Sequence, residues 1–424
     1  MLKKALLLCL IFLLPAAASA ESFKQVYINN TPVDIPAVTT DDGCYVSLSA
    51  VADELNLKFG WENTLQMAEI ADEKKILQVF PEKHEARKNG KVTYAEGTPF
   101  INQDTVMVPI DLLKKVFRLD ISYNTQDAEN NIFYSYHDDI IDIYSKYSPT
   151  QDIMVRIAKG GANETYDFYE VYLLNNNTDT LSESLENAGL LYGTAVTDWH
   201  SPFVVSADIN KDGDIPNSTD FTGGYHSYPS AESSTSAHKS ISCTADGIPI
   251  ENNTSGYCSR FAVSWKNDVQ ACNTMRADGS GRYVMEEEHK LYFDGVTWYS
   301  AVTLTPYEKI TITKLYGFQA FIKNIWDTKI QYVNEAGAFD LPLTADTSQI
   351  STSELICQKD NNALKITINP SFGIGDKKYV MNNPDAFVTN YGKIYFNLVN
   401  GIPLKAAKGD KITYRGSYSF YPAN

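Results

Sequence analysis

Alternation between hydrophobic and polar positions dominates the chain after about residue 140. The clearest alternating stretches are 260–265, 290–293, 298–304, 309–321, 363–368, 393–399 and 411–420. Such alternation is typical of half-buried β-strands, and Asn, Asp, Gly and Pro residues separate the stretches as turns do. The pattern predicts a large, mostly antiparallel β-sandwich. Within it we expect one helix, at residues 180–188, with Thr180 as the N-cap and Gly189 at its end.

A repeated unit precedes this region. Residues 44–62 read CYVSLSAVADELNLKFGWE and residues 106–124 read VMVPIDLLKKVFRLDISYN, so that Val46 aligns with Val108. Each copy begins with a short strand, continues with a helix whose apolar residues have helical spacing, and ends with a second alternating strand. Units this small need a neighbour to cover their apolar faces, and the duplication supplies one.

The repeat resembles a known family. The quartets Tyr-Val-Ser-Leu at 45–48 and Met-Val-Pro-Ile at 107–110 are similar to the repeated pattern of copper amine oxidase N-terminal-like domains, also called stalk domains. The resemblance covers roughly residues 24–136 and implies a non-catalytic module, found on exported bacterial proteins and often beside cell-wall or carbohydrate-active domains. No copper is expected, because His84 and His137 stand alone in the sequence.

The end of the chain also resembles a family. The stretch LKAAKGDKITYRGSYSFY, residues 404–421, is similar to the last strands of the galactose-mutarotase-like supersandwich family, whose fold several polysaccharide lyases share. We therefore predict an α+β N-terminal module of tandem strand–helix–strand units over residues 21–137. A large, mostly antiparallel β-sandwich with a carbohydrate-related role is expected over residues 138–424.

The first twenty residues have the pattern of a secretory signal. Lys3 and Lys4 precede a short apolar run, and Ala18, Ser19 and Ala20 provide the small residues of a cleavage site. We expect cleavage after Ala20, a secreted, periplasmic or cell-surface protein, and no membrane insertion of the mature chain.

Export also bears on the cysteines. Five remain after cleavage, and in an oxidising compartment we expect at most two disulfide bridges. One bridge is expected among Cys243, Cys258 and Cys272, which fall on successive strand-like stretches, whereas Cys44 and Cys357 lie far from them in sequence.

The charge balance excludes one class of partner. The chain has 52 Asp and Glu against 36 Lys and Arg, a net charge of −16. Binding to nucleic acid or to an anionic membrane through bulk electrostatics is therefore excluded. The 27 tyrosines fit strands and wet binding surfaces better than helix bundles.

A candidate calcium loop lies at residues 208–214, which read Asp-Ile-Asn-Lys-Asp-Gly-Asp. Ca²⁺ prefers six to eight oxygen ligands, and a glycine at the sixth position of such a loop permits the sharp turn. The predicted ligands are Asp208, Asn210, Asp212, Asp214 and Asp220, the last one position beyond the usual closing residue. The alternative is a surface turn, which the same residues favour.

A His-Tyr cluster follows this loop, where Gly-Gly-Tyr-His-Ser-Tyr places His226 between Tyr225 and Tyr228. Histidine and tyrosine form a base–acid pair of the kind that β-elimination of a uronic polysaccharide needs. In this lyase hypothesis His226 abstracts the proton α to the uronate carboxyl group and Tyr228 or Tyr225 protonates the leaving oxygen. The sugar carboxylate would be neutralised by Arg282 or Gln319.

Two strand-like stretches add to the candidates. Alternation over residues 282–289 places Glu286 and Glu288 on one strand face and Glu287 and His289 on the other. Residues 314–323, with Tyr316 and Gln319 among them, have an aromatic and amide character that suits sugar stacking.

The alternative to the lyase is a non-enzymatic cell-surface or cell-wall protein that binds glycan. In that hypothesis His226 only packs among tyrosines. The expected partner is extracellular polysaccharide or cell-wall glycan under both hypotheses. A single cleft lined by His200, His226, Arg282 and Gln319 would favour the enzyme, and dispersal of these residues would favour binding.

Overall fold

The structure is a computed structural model that describes residues 24–125, 131–186, 188–193, 199–200, 202–215, 220–321, 329–334, 336–340, 350–370, 385–388 and 393–423. Over these residues the chain is mostly β-structure, and all strand pairs in it are antiparallel. The described residues contain no helix that is long and apolar enough to cross a membrane.

The N-terminal module consists of short strands and the two α-helices of the described chain. In chain order these elements are β1 Lys24–Ile28, β2 Thr31–Val33, β3 Ala37–Thr40, β4 Gly43–Ser47, α1 Leu48–Glu54, β5 Lys58–Glu62, β6 Met67–Ala71, β7 Ile76–Val79, β8 Glu85–Lys88, β9 Lys91–Tyr94, β10 Phe100–Asn102, β11 Thr105–Pro109, α2 Ile110–Phe117 and β12 Ile121–Thr125. They form sheets of three strands (β12-β1-β2), four strands (β10-β11-β4-β3) and five strands (β5 to β9 in order).

The two repeated units pair with each other through their first strands. Strands β4 and β11 are antiparallel neighbours, and the aligned residues Val46 and Val108 are direct partners in the register. In the first unit the side-chain oxygen of Ser47 caps α1 by accepting from the Ala50 N–H at 3.2 Å. In the second unit α2 ends at Arg118, whose left-handed φ of 57° stops the helix. Both helices bury their apolar faces in one shared core.

The second region contains the remaining strands. In chain order they are β13 Ile132–His137, β14 Ile140–Ser148, β15 Gln151–Gly160, β16 Thr165–Asn175, β17 Ala188–Gly193, β18 Phe203–Ala207, β19 Ser236–Ala245, β20 Ile248–Ile250, β21 Thr254–Cys258, β22 Phe261–Gln270, β23 Tyr283–Asp294, β24 Thr297–Pro306, β25 Ile310–Phe321, β26 Lys329–Asn334, β27 Gly337–Asp340, β28 Ile350–Ser351, β29 Glu354–Lys359, β30 Asn362–Ile368, β31 Asp385–Val388, β32 Lys393–Ala406 and β33 Ile412–Pro422. A short 3₁₀-helix at Cys272–Thr274 follows β22.

These strands form three sheets that share one core. The ten-stranded sheet has the order β20-β19-β22-β23-β24-β33-β30-β29-β26-β27, the six-stranded sheet β17-β16-β15-β14-β13-β21, and the five-stranded sheet β18-β25-β32-β31-β28. Phe168 of the six-stranded sheet contacts Trp298 of the ten-stranded sheet, with ring centroids 5.1 Å apart. Phe318 of the five-stranded sheet contacts Tyr418 at 5.8 Å. The predicted β-sandwich is therefore present.

The described part of the expected helix at 180–188, residues 180–186, is not helical. Side chains from neighbouring segments hold its backbone groups instead: Asp152 accepts from the Ser182 N–H at 2.8 Å, and Asn176 donates to the Thr180 carbonyl at 2.6 Å. The Thr180 carbonyl, which as the N-cap carbonyl would accept the first hydrogen bond of the helix, is bonded to a side chain instead, and the helix prediction was wrong.

Strand β13 lies on the other side of the expected domain boundary at residue 137. It pairs with β14 along its whole length, from Ile132 opposite Ser145 to His137 opposite Ile140, and belongs to the six-stranded sheet. The change from module to sandwich therefore falls between β12 and β13.

All five described cysteines are buried and none forms a disulfide bridge, so the expected bridges are absent from this structure. Cys243 lies on β19 of the ten-stranded sheet, Cys258 on β21 of the six-stranded sheet, and Cys272 in the 3₁₀-helix. Successive strand-like stretches do not indicate which sheet each strand joins, and here the two strands belong to different sheets while Cys272 lies on neither.

Ion pairs and hydrogen bonds join the module to the outer face of the ten-stranded sheet. Glu54 at the end of α1 pairs with Arg415 of β33, and both side chains are only 5% exposed. Asp34 pairs with Arg260 at 3.1 Å. Asn56 donates to the Thr413 hydroxyl at 3.0 Å. The module is thus fixed onto the sandwich by charged and polar contacts.

Replacing Glu54 with alanine should lower the free energy of unfolding by about 3 kcal/mol, because Arg415 would lose its carboxylate partner in a buried site. Urea unfolding measures this change. The exposed neighbour Asp53 is the control, since an Asp53→Ala change should cost less than about 0.5 kcal/mol. Equal effects of the two substitutions would contradict a stabilising role for the Glu54–Arg415 pair.

Candidate functional site

His200 lies in the sandwich core and not in an open cleft. Its side chain is 1% exposed, Nδ1 lies 2.9 Å from Asp167 Oδ1, and Nε2 lies 2.8 Å from the Ser300 hydroxyl. Burial lowers the pKa of His200, and the Asp167 carboxylate opposes part of that shift. The contacts of Ser300, His200 and Asp167 resemble those of a Ser-His-Asp catalytic triad, but all three groups are buried. We therefore assign His200 a structural role.

A second carboxylate–imidazole pair lies against the first. His289 Nε2 is 3.1 Å from Glu287 Oε1, with both side chains almost fully buried, and the His289 and His200 rings are 4.9 Å apart. Trp265 stacks on His289 at 4.8 Å. Gln319 joins this cluster because its amide donates to the His200 carbonyl at 3.3 Å. Two of the predicted site residues therefore meet, but inside the core.

His226 lies elsewhere, at one end of a row of aromatic rings. Its ring centroid is 5.3 Å from that of Phe221, which is 5.2 Å from Tyr316, which in turn stacks on Tyr395 at 4.3 Å. The ammonium group of Lys314 lies 5.7 Å from the Phe221 ring centroid. We call Phe221, His226, Tyr316 and Tyr395 the aromatic row. It unites the two stretches that the sequence singled out for sugar contact, around residues 226 and 316.

Strand geometry turns the aromatic row away from the core. On β25 Leu315 and Phe318 belong to the sandwich core and Tyr316 does not, because irregularities in the pairing with β32 on both sides of Tyr316 interrupt the regular alternation. On β32 Ile394 and Phe396 belong to the core, and Tyr395 between them points to the other face. Phe221, His226 and Tyr316 are half-buried, whereas Tyr395 at the end of the row is buried, with 6% of its surface exposed.

Asn163 holds the loop that carries His226. Its amide donates to the Gly224 carbonyl at 2.5 Å and to the His226 carbonyl at 2.9 Å, and its oxygen accepts from the Thr235 N–H at 2.7 Å. Asn163 is 5% exposed. This positioning residue could not be predicted from the sequence, because an isolated asparagine in a turn has no distinguishing pattern.

The two tyrosines beside His226 contribute to the structure of its loop through the packing of Tyr225 and the backbone of Tyr228. Tyr225 packs on the backbone of Gly160 and Gly161, where a side-chain Cβ on Gly161 would come within 2.7 Å of the Tyr225 Cβ. The Tyr228 N–H donates to the Ser233 carbonyl at 3.0 Å. The described contacts therefore give Tyr225 a packing role and show Tyr228 anchoring a turn.

Arg282 is held by Glu308 and by residues 208–214, the candidate calcium loop, which we call the acidic loop. Its Nε lies 2.7 Å from Glu308, its Nη1 lies 3.3 Å from Asp214, and its Nη2 donates to the Ile209 carbonyl at 2.6 Å. A guanidinium engaged at all three nitrogens has few donors left for a sugar carboxylate. Arg260, which directly precedes β22, pairs with Asp34 of the module.

The candidate calcium ligands have protein partners in this structure. Asp214 lies 3.6 Å from Arg276 as well as near Arg282, Asp208 pairs with Lys309, and Asn210 donates to the Asn273 carbonyl at 2.5 Å. The remaining two predicted ligands, Asp212 and Asp220, are exposed. Among the described residues no three His, Cys, Asp or Glu side chains are grouped as a metal ion would need.

The predicted site residues are therefore dispersed. His200 and Gln319 lie in the core, His226 in the aromatic row, and Arg282 at the acidic loop. Phe221 and Tyr395, which complete the row, were not among the predicted site residues. Phe221 precedes the Gly-Gly turn in sequence, and its aromatic character was the one available indication.

Comparison with known proteins supports the resemblance of the first region. Residues 27–132 match the family described as the copper amine oxidase N-terminal domain, which is about a quarter of the chain. The resemblance found in the repeat is thus confirmed. None of the curated proteins compared with the chain is similar to it.

Similar solved structures include sugar-processing proteins. A galactose 1-epimerase from Lactobacillus acidophilus NCFM has a TM-score of 0.31 and 8% identity, and the match covers 70% of this chain and 99% of that one. An alpha-galactosidase from Lactobacillus brevis has a TM-score of 0.33 and 10% identity, covering 69% and 40%. A glycosyl hydrolase family 38 protein from Enterococcus faecalis has a TM-score of 0.37 and 10% identity, covering 95% and 39%. Likeness at this level carries no residue role over to this chain.

The buried His200 should make the protein less stable in acid. Because its folded-state pKa is lowered, the unfolded chain binds more protons below about pH 6.5, and the free energy of unfolding falls by up to about 1.4 kcal/mol per pH unit. Burial also lowers the pKa of His238, which acts in the same direction. Urea unfolding at pH 7.5, 6.5 and 5.5 measures the slope.

A His200→Asn variant should show a shallower slope than the parent protein. His84 is exposed and provides the matched control, since His84→Asn should keep the parent slope. An unchanged slope in His200→Asn would contradict the assignment.

Calcium binding at residues 208–214 stays a prediction. If the loop binds Ca²⁺, removing the ion with EGTA should lower the melting temperature, and excess Ca²⁺ should restore it. An unchanged melting temperature would leave Arg276, Arg282 and Lys309 as the partners that hold the loop.

Proposed function

We propose that the protein binds extracellular polysaccharide or cell-wall glycan on the aromatic row. The observation that carries this proposal is the continuity of the row, in which Phe221, His226, Tyr316 and Tyr395 follow one another at ring-centroid distances of 4.3–5.3 Å. Aromatic rings with a polar edge combine apolar contact area with hydrogen bonding, as a ligand with one apolar and one polar face requires.

Neighbouring groups suit a polyhydroxylated ligand. Lys314 is exposed beside the row and offers three N–H donors, while the tyrosine hydroxyls and the imidazole can donate or accept. The loop that carries His226 is fixed by Asn163, so that the ring is held before a ligand arrives. Pre-organisation of this kind reduces the entropy lost on binding.

The lyase hypothesis is the weaker of the two. β-Elimination requires a base, an acid and a carboxylate-neutralising group at one reacting carbon. The described contacts place His226 in the row, Gln319 in the core and Arg282 at the acidic loop. Dispersal of these groups supports binding without catalysis.

The predicted signal sequence at residues 1–20 and the N-terminal module fit an exported glycan-binding protein. The signal pattern would place the mature chain outside the cytoplasm, where such glycans occur. The sandwich presents its aromatic row on the five-stranded sheet, and the module contacts the ten-stranded sheet instead. The described contacts of the module are therefore made away from the row.

Replacing Tyr316 with alanine should weaken binding of the recognised glycan at least tenfold, about 1.4 kcal/mol, because the central ring of the row is removed. Isothermal titration calorimetry with cellohexaose, chitohexaose, maltohexaose and hexagalacturonate provides the measurement. Tyr94, which is 63% exposed on β9 of the module, is the matched control, and Tyr94→Ala should bind as the parent does.

Two outcomes would contradict the proposal: no binding to any of the four probes at millimolar concentration, or parent-like binding by Tyr316→Ala. Release of unsaturated product from the hexagalacturonate by the parent protein would instead support the lyase, provided that His226→Ala abolished it.

A further inference from the structure

A polar slot separates the N-terminal module from the outer face of the ten-stranded sheet. Two adjoining pockets form it, with volumes of ≈ 130 Å³ and ≈ 230 Å³, and both are lined by Glu54 and Lys290. Together they reach the lower end of the range of about 300–1,000 Å³ that small-molecule sites occupy. Clefts between structural units are among the places where such sites occur most often.

The register of the sheet explains why a slot exists there. Across neighbouring strands Ser242 is opposite Ser264, Ser264 opposite Lys290, Lys290 opposite Ala301, and Ala301 opposite Arg415. Small side chains at three of these five positions leave a trough across the strands. Five strands at about 4.8 Å spacing give the trough a length of roughly 19 Å.

Larger side chains wall the trough on both sides. On β23 Glu288 lies two residues before Lys290 and Tyr292 two residues after it, and both line the slot. Asp34, Asp53 and Glu54 of the module line it from above.

Lys290 lies at the centre of the floor with its charge uncompensated by the described chain. Its ammonium group has no hydrogen bond or ion pair to any described residue, although carboxylates line the same slot. Three of the four carboxylates are engaged elsewhere: Glu54 pairs with Arg415, Asp34 with Arg260, and Glu288 lies 3.5 Å from Lys266. The fourth, Asp53, is exposed.

The lining favours a neutral, hydroxyl-rich ligand. Ammonium donors and serine and threonine hydroxyls lie on the floor, while carboxylate acceptors come from the module and from Glu288 of β23. A sugar hydroxyl both donates and accepts, so it can bridge these opposite groups without bringing a charge of its own into the slot.

We propose that this slot is a second glycan site, which binds a neutral saccharide unit between the module and the ten-stranded sheet. Lys290 donates to a sugar oxygen, and Asp53 and Glu54 accept from sugar hydroxyls. The site extends the proposed function to a separate surface, because the aromatic row lies on the five-stranded sheet.

The test is calorimetry of the full chain with cellohexaose, chitohexaose, maltohexaose and hexagalacturonate. A neutral hexasaccharide should bind at two sites per chain. Lys290→Met should weaken binding of the saccharide in the slot at least tenfold. Ser264→Leu, which fills the trough beside Lys290, should weaken this binding as well. Lys405→Met is the matched control, because Lys405 is an exposed lysine on β32 of the other sheet.

Hydrogen exchange gives the position of the bound ligand. A neutral hexasaccharide should slow amide exchange in β22, β23 and α1 of the parent protein and of Tyr316→Ala, but not of Lys290→Met. Thermal unfolding of each variant verifies that it is folded before binding is compared.

The outcomes separate this inference from the proposed function. Parent-like binding by both Lys290→Met and Ser264→Leu would overturn the proposal that the slot binds a saccharide, whatever the affinity of Tyr316→Ala. Loss of slot binding in these variants with parent-like binding in Tyr316→Ala would support the slot and contradict the aromatic row. Binding in the slot by hexagalacturonate alone would overturn the neutral class of ligand.

Discussion

The two faces of the ten-stranded sheet impose the constraint on which the rest of the molecule depends. Successive residues of a strand point to opposite faces, so β23 sends Glu287 and His289 into the core and Glu286, Glu288 and Lys290 outward. A shift of one residue in the pairing would exchange these two sets and bury three further charges. The core cluster, the module contact and the slot all require this one register.

On the inner face, polar groups are tolerated because they are paired. Asp167 comes from β16 of the six-stranded sheet, Ser300 from β24 of the ten-stranded sheet, and His200 bridges them from the segment before β18. Isolated charges in such an aromatic core would cost several kcal/mol each. The pairs therefore link the sheets, and this explains why histidines that looked catalytic in the sequence are structural.

Local pattern was enough to predict part of this architecture. The repeat, the strands and the alternation around Glu287 depend on neighbours in sequence, and these features could be read directly. The aromatic row could not be completed, because the contact between Phe221 and Tyr316 depends on how β18 pairs with β25. The ion pair of Arg282 could not be predicted either, because its partner Asp214 lies 68 residues away in sequence. The cysteine prediction failed for the same reason.

A sandwich with glycan sites on two opposite faces would act differently from a sandwich with a single site. The aromatic row lies on the outer side of the five-stranded sheet, and the slot lies on the outer side of the ten-stranded sheet, with the shared core between them. With the core between them, the two sites would hold separate glycan strands. The rigid core would then fix the distance between two strands, and attachment at both sites would raise the avidity for a glycan network above that for a free oligosaccharide.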